Sequence, residues 1–459
     1  MPQVPIWIDL TYLLSAVCFI LGIKFLNAPK RARLGNQVAA FGMTAAVVAT
    51  IFHPRIETYA WIGAALGAGA AVGWISARRV QMTAMPQMVA LFNGVGGGAV
   101  ALVAIMEFAS AVEASALHTV TGVLSAIIGG VSFSGNLVAF AKLQELMTGR
   151  PIFLPGQKLI NLGLLMATGA IAVQIAVGIG NLPLFLWLTG AALAMGVTFV
   201  LPVGGADMPV VISLLNSFTG LAAGLAGFML ENNALLIGGA LVGASGLILT
   251  LQMCAAMNRS LENVFFGALG AGPAAEQAKA VERAVRSYGA EDVALMLANA
   301  NKVIVIPGYG MATAQAQHAV KELANKLAKR GVVVKYAIHP VAGRMPGHMN
   351  VLLAEAGTPY EQLADLEEIN PEFPETDVAL VIGANDVVNP AARHDQSSPL
   401  YGMPILDADK ARACVICKRG MGTGYAGVDN ELYYAPNTIM LFGDAKASIT
   451  ALASAIDDY

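Results

Sequence analysis

At 459 residues, 56% apolar and only 12% charged, the chain is too long for one small domain and too apolar to be water-soluble throughout. A net charge of -3 with dispersed basic residues excludes a nucleic-acid-binding face, and four cysteines exclude a disulfide framework. The 27 Lys and Arg and the 30 Asp and Glu are segregated, with 17 of them in residues 1–256 and 40 in residues 257–459.

The first half predicts nine membrane-spanning helices, at 6–26, 36–53, 59–77, 86–107, 118–141, 160–180, 184–202, 209–230 and 234–256. Each supplies the roughly 20 apolar residues that a bilayer requires. The first basic residue, Lys24, follows the first apolar run, so no cleavable leader is expected. Basic residues crowd alternate loops: Lys24, Lys30, Arg31 and Arg33, then Arg78 and Arg79, then Lys142, Arg150 and Lys158, then Arg259. The other loops carry Arg55, Glu57, Glu113 and Glu231. This asymmetry predicts an outside N-terminus and a cytoplasmic C-terminal half.

Few polar residues interrupt these spans. Asn93 opens a glycine-rich run in the fourth helix, and Asn136 lies in the fifth. Asp207 sits at the mouth of the eighth, with Asn216 about two turns deeper. His118 falls at the outer edge of the fifth and reads as interfacial. Such amides either bond neighbouring helices, at roughly 1 kcal/mol each, or line a hydrated proton path. For Asn93 and Asn216 both readings stand; for Asn136 packing is favoured.

Residues 257–289 are rich in Ala, Gly and Glu, with a polar helical stretch near 276–287, and read as a linker between a membrane domain, 1–256, and a hydrophilic domain, 290–459. A short helix, 291–300, leads to a strand at 303–306 followed by Gly308-Tyr309-Gly310, a helix over 312–329 and a strand over 332–338. Strand, glycine turn and helix open a nucleotide-binding unit, because a helix N-terminus offers oriented N–H groups to phosphate. The usual third glycine is replaced by Thr313. The second strand ends in Ala337-Ile338-His339 without the carboxylate that would hold a free ribose 2′-hydroxyl.

Lys418 and Arg419 follow a strand at 413–417 directly; adjacent cations there suit a 2′-phosphate, the alternative being an ordinary solvated basic pair. Two loops, His339–His348 and Gly383–Pro390, follow predicted strands, where open α/β sheets bind ligands; tight-turn chemistry is the alternative for both. Cys414 and Cys417 are three apart on a strand and so face opposite ways, which argues against a redox or metal pair. The six histidines show no metal-ligand spacing, and no metal is expected.

Taken together, the segments 204–210 with 215–217, 307–317, 339–355, 383–391, 418–428 and 441–447 resemble the β-subunit family of proton-translocating NAD(P) transhydrogenases over nearly the whole chain. The resemblance implies a polytopic α-helical membrane domain joined to an α/β Rossmann-like NADP(H) domain that holds its dinucleotide in a flipped orientation. It places Tyr309 and Gly310 beside the cofactor, Val341, Ala342, Gly343, Arg344, Met345 and Pro346 in contact with it, and Arg344 near its phosphates. It places Gly383, Ala384, Asn385 and Asp386 in a loop by the nicotinamide half, with Asp386 implicated in coupling. Lys418 and Arg419 take the 2′-phosphate, while Gly424, Tyr425, Asp444 and Ala445 belong to a lid and its adjoining loop. The implied partners are an α subunit carrying NAD(H), a second copy of the complex and the lipid bilayer, in the inner membrane of a bacterium. Direct transfer between nicotinamides needs no catalytic acid or base. The proton-path candidates are Asn93, Asp207, Asn216 and Asp386. Relatives in that family carry a histidine where Asn93 stands, and an amide cannot titrate. A nucleotide-regulated channel is the rival reading of the membrane half alone, and it leaves Lys418-Arg419 unexplained.

Overall fold

The computed structural model describes all residues except 1–4, 27–28, 55, 57, 82–83, 111–114, 150, 206, 259, 262–284, 346, 397, 399 and 425. Most of the expected linker helix, Pro346, Tyr425 and the loop residues Arg55, Glu57, Glu113, Arg150 and Arg259 lie outside the described residues. The chain divides into two compact units, residues 1–203 with 211–250, and residues 204–210 with 251–459.

Nine described helices are long and apolar enough to span a bilayer. They are α1 (Ile6–Leu26), α2 (Pro29–Ile51), α3 (Tyr59–Arg79), α4 (Met85–Ser110), α5 (Ala116–Leu143), α6 (Gln157–Ala176), α7 (Leu182–Val200), α8 (Met208–Met229) and α9 (Asn233–Ala256). Inside a bilayer, association between helices comes from close packing and polar contacts rather than from hydrophobic burial. Gly97 and Gly129 supply the first of these: a Cβ on Gly129 would lie 2.7 Å from the Gly97 carbonyl, so only glycines let α4 and α5 meet backbone to backbone. Polar side chains supply the second, at helix ends. Lys142, buried near the end of α5, donates to the Leu201 and Val203 carbonyls at 2.6 and 2.7 Å. Gln157 of α6 donates to Thr198 O at 2.7 Å. Both satisfy carbonyls in the last turn of α7 or just beyond it, where intrahelical partners run out.

The second unit contains a six-stranded parallel sheet in the order β3-β2-β1-β4-β5-β6. The strands are β1 (Lys302–Pro307), β2 (Val333–Ile338), β3 (Leu363–Asp365), β4 (Val378–Ile382), β5 (Ala413–Lys418) and β6 (Thr438–Phe442). Val-, Ile- and Leu-rich runs buried on both faces suit the centre of a parallel sheet. The flanking helices include α10 (Ala290–Ala298), α11 (Tyr309–Thr313), α12 (Gln317–Lys329), α13 (His348–Glu355) and, after the short turns at Leu366–Ile369 (α14) and Ala391–His394 (α15), α16 (Ala445–Ala455).

The single helix expected over 312–329 is broken in two. Ala316 N donates to Met311 O and Gln315 N to Ala312 O, both at 3.0 Å, around Gln315 in the left-handed region at φ 50°. These paired bonds close a helix C-terminus, where glycine or asparagine is usual. A glutamine in that place hides the break from the sequence. Cys414 and Cys417 are buried and unpaired in β5, with the Cys414 and Cys417 thiols pushed up by burial to about 12 and about 11.

Candidate functional site

The strand order reverses between β1 and β4, and in open α/β sheets ligands bind in the crevice at that reversal, beyond the strand C-termini. Three loops are laced together there. Gly308 N donates to Ile382 O and Gly310 N to Gly383 O, each at 2.9 Å, and Gly383 N donates to Cys417 O at 3.1 Å. A Cβ on Gly310 would sit 2.7 Å from Gly383 Cα, and one on Gly308 would strike Ala384. The glycines of the Gly308-Tyr309-Gly310 turn are therefore required first by the approach of the β4 loop. Gly310→Ala is expected to destabilise the second unit by ~1–3 kcal/mol, the usual cost of overpacking. Hydrogen exchange at the β1 and β4 amides reads this, and unchanged protection would contradict it.

The loop after β2 is organised by two histidines. His339 Nε2 donates to Pro404 O at 2.7 Å, and Val341 N donates to His339 Nδ1 at 3.2 Å. Ala342 N donates to His339 O at 3.0 Å. Gly343 adopts φ 106°, and Arg344 N donates to Nδ1 of the buried His348 at 3.0 Å. The Arg344 guanidinium lies 4.3 Å from the Tyr309 ring centre, and the His348 ring lies 6.4 Å from that of Tyr309. His348 Nε2 is buried without a hydrogen-bond partner among the described residues. Val341 and Met345 are half-buried and Ala342 buried in the same loop.

Burial pushes His339 down to about 4 and His348, with help from the Arg344 charge, also to about 4. Unfolding restores ordinary histidines near 6.5, so between pH 6.5 and 4 the unfolded chain binds more protons than the folded one. Stability then falls as pH drops through that window, by about 1.4 kcal/mol per pH unit for each histidine. Denaturant unfolding of the second unit at a series of pH values tests this; the slope should shrink in His339→Asn, and an unchanged slope would refute the assignment.

The β4 and β5 loops share one polar cluster. Asp386 Oδ2 accepts from Ala426 N at 3.0 Å, and Gly424 packs directly against the same carboxylate. Asn430 Nδ2 donates to Asn385 O at 3.0 Å. Lys418 Nζ donates to Gly422 O and to Tyr433 Oη, the latter at 2.9 Å. Burial lowers the Lys418 pKa, opposed by the charges of Asp386 and Asp429. The Tyr433 hydroxyl is raised by burial and then by Asp386, so it stays protonated. Arg419 is exposed and makes no ion pair among the described residues. Asp444 caps α16, accepting from Lys446 N at 3.0 Å and Ala447 N at 3.2 Å, with Ala445 buried beneath it.

The sheet thus brings Tyr309, Gly310, Gly343 and Arg344 into one group, and Asn385, Asp386, Lys418 and Gly424 into another. Tyr433 and Asn430 complete the second, and the sequence reading passed over both. Their only signal is an Asn-Glu-Leu-Tyr-Tyr turn that resembles ordinary capping, with Asn430 accepting from Leu432 N. Among the described residues, no group of three or more His, Cys, Asp or Glu could hold a metal ion.

In the membrane unit, a polar chain links α4, α5 and α8. The Ser132 and Thr219 hydroxyls are 2.6 Å apart, and Thr219 donates towards the Asn93 carbonyl at 3.4 Å. Leu215 O lies 2.9 and 3.1 Å from the Ser132 and Thr219 hydroxyls, an alternative acceptor for their two protons. Asn136 Nδ2 donates to Ser132 O at 2.8 Å and to Ser132 Oγ at 3.2 Å. Asn93 Nδ2 and Asn136 Oδ1 are buried without hydrogen-bond partners among the described residues. Asn216, half-buried, follows Leu215 in the chain. Asp207, also half-buried, immediately precedes α8. Ser132 and Thr219 were missed, although Ser132–Asn136 and Asn216–Thr219 have the four- and three-residue spacings that share a helix face.

Residues 8–455 match the family described as NAD(P) transhydrogenase beta subunit. Two curated Rhodospirillum rubrum sequences named NAD(P) transhydrogenase subunit beta are each 48% identical to this chain over 458 residues, covering 97% of it and 98% of their own length. With the parallel sheet, the nine apolar helices and this near full-length identity, the chain belongs to the NAD(P) transhydrogenase β-subunit family.

Proposed function

We propose that this chain binds NADP(H) at the β1–β4 crevice and serves hydride exchange with NAD(H) held by an α-subunit partner, coupled to proton passage through the membrane unit. The observation that carries the reading is the pairing of Lys418-Arg419 at the end of β5 with the absence of any carboxylate at the end of β2, where His339 is committed to Pro404. Cations in the first place and no anion in the second favour a 2′-phosphate over a free 2′-hydroxyl. The donor set fits such a group. Arg344 is propped over Tyr309, the half-buried Lys418 donates to neutral groups, and Arg419 is exposed.

When bound, the nicotinamide supplies the hydride chemistry. The chain's own residues bind, orient and exclude water. Arg344 holds phosphate charge, while Lys418 and Arg419 hold the 2′-phosphate. Asp386 holds the lid segment through Ala426 N, and Gly424 and Tyr425 are assigned to that lid. Protonating Asp386 removes the charge that this amide and the nearby Lys418 ammonium answer, which loosens the lid. A proton arriving from the membrane unit can change nucleotide affinity in this way without touching the hydride step, a coupling free energy between sites. Asn93, Asp207 and Asn216 are the path residues in this reading, and none of them needs to be the hydride's acid or base.

The domain assignment that goes with it is 1–256 membrane, 257–289 linker and 290–459 nucleotide-binding. The topology is an outside N-terminus and a cytoplasmic nucleotide domain in a bacterial inner membrane, in a complex containing two copies. The test is exchange between NADH and an NADP analogue in vesicles holding this chain and its α partner. Exchange with linked acidification or alkalinisation of the lumen is expected; no exchange would end the reading.

A further inference from the structure

We infer that His348 is a positioning residue, whose ring fixes the Gly343–Arg344 turn so that the Arg344 guanidinium is held over Tyr309. The inference rests on the dinucleotide reading above and extends it to a side chain that contacts no ligand in that scheme. Three separate contacts converge on one imidazole. Arg344 N donates to Nδ1 at 3.0 Å, so the ring carries its hydrogen on Nε2. The space that a Cβ on Gly343 would occupy is filled by the same ring, with Nδ1 2.5 Å from that position. The Tyr309 ring, under the guanidinium, lies 6.4 Å from it at an interplanar angle of 51°.

The ring is itself anchored. His348 is the first residue of α13, follows Gly347 at φ 67°, and donates its own N–H to Met345 O at 3.2 Å. The loop therefore leaves β2, turns left-handed at Gly343, and is tied back to the start of α13 by the imidazole. That tie fixes the backbone from which a long, flexible arginine reaches the face of Tyr309. A guanidinium recognises phosphate oxygens through a fixed fork, so the orientation of its backbone sets the strength of the contact. Protonation at Nδ1 would remove the acceptor and set a cation beside Arg344; the burial that lowers the His348 pKa to about 4 keeps it available.

A core-filling histidine would show a different substitution pattern. Asparagine places an acceptor oxygen where Nδ1 stands, glutamine places it too far along, and leucine fills the volume with no acceptor. The experiment titrates NADPH into the full-length chain in detergent, unsubstituted and as His348→Asn, His348→Gln and His348→Leu. His348→Leu and His348→Gln should weaken binding about tenfold, the usual worth of one hydrogen bond, and His348→Asn by a few-fold at most. His348→Leu added to Arg344→Met should cost much less than the product of the two single losses, because both act through one guanidinium. Equal losses in all three His348 variants, or losses that multiply with Arg344→Met, would overturn the positioning role and leave packing. No NADPH binding by the unsubstituted chain would instead sink the dinucleotide reading, and this inference with it.

Discussion

Neutralising Lys418 and Arg419 together, as Lys418→Met with Arg419→Gln, is expected to weaken NADPH binding about 100-fold, or ~2.7 kcal/mol, and NADH binding only slightly. Most of that loss belongs to Lys418. It is half-buried, where a charge-assisted bond to a phosphate oxygen is screened less than at the surface. Its present partners, Gly422 O and Tyr433 Oη, are neutral, so an incoming phosphate dianion would outcompete both. Arg419 is exposed, and salt screens its contribution. The NADPH loss should therefore shrink at high salt in Arg419→Gln alone and persist in Lys418→Met alone. Calorimetric titration of both nucleotides into the full-length chain measures this. Equal losses for NADH and NADPH would remove the 2′-phosphate from these side chains.

Asn216→Leu is expected to reduce proton-coupled turnover of the assembled complex at least tenfold, ~1.4 kcal/mol on the barrier, with nucleotide affinity little changed. The substitution keeps volume and removes both the donor and the acceptor of the amide. The polar chain of Ser132, Thr219 and Asn93 would survive it, because Leu215 supplies its carbonyl through the backbone. Any loss of pumping is then assignable to the Asn216 amide rather than to collapse of the α4–α5–α8 contact. Lumen pH recorded in vesicles, beside the rate of hydride exchange, separates the two. Unchanged pumping would take Asn216 off the path.

Much of the architecture was legible in composition and periodicity. Nine apolar runs became nine helices because in a bilayer the backbone has no other way to satisfy its polar groups within one segment. The alternation of strand and helix after residue 300 became a parallel sheet because that connection folds back only one way. The split of the expected 312–329 helix was not legible, since the closing left-handed residue is Gln315 rather than glycine.

The candidate site was legible in its parts and not in its wiring. Gly308 and Gly310 were read as glycines for phosphate, yet their first constraint is the β4 loop at Gly383 and Ala384. That constraint is a contact across 73 residues of chain between 310 and 383, and no local pattern announces it. Lys418 and Arg419 look alike in sequence, while burial separates them. Tyr433 stood outside every motif until β5 and the turn before β6 brought it to Lys418.

The sequence by itself determined which half enters the membrane, the alternation of strand and helix after residue 300, and the chemical types gathered at the strand ends. These follow from properties each segment carries alone: hydrophobic length, period and turn residues. Only the tertiary structure decided which of those groups meet. It set His348 under the Arg344 turn, Asp386 against Gly424 and Ala426, and Ser132 between Asn136 and Thr219. Those meetings depend on strand order and helix packing, which arise from the whole chain burying its surfaces at once.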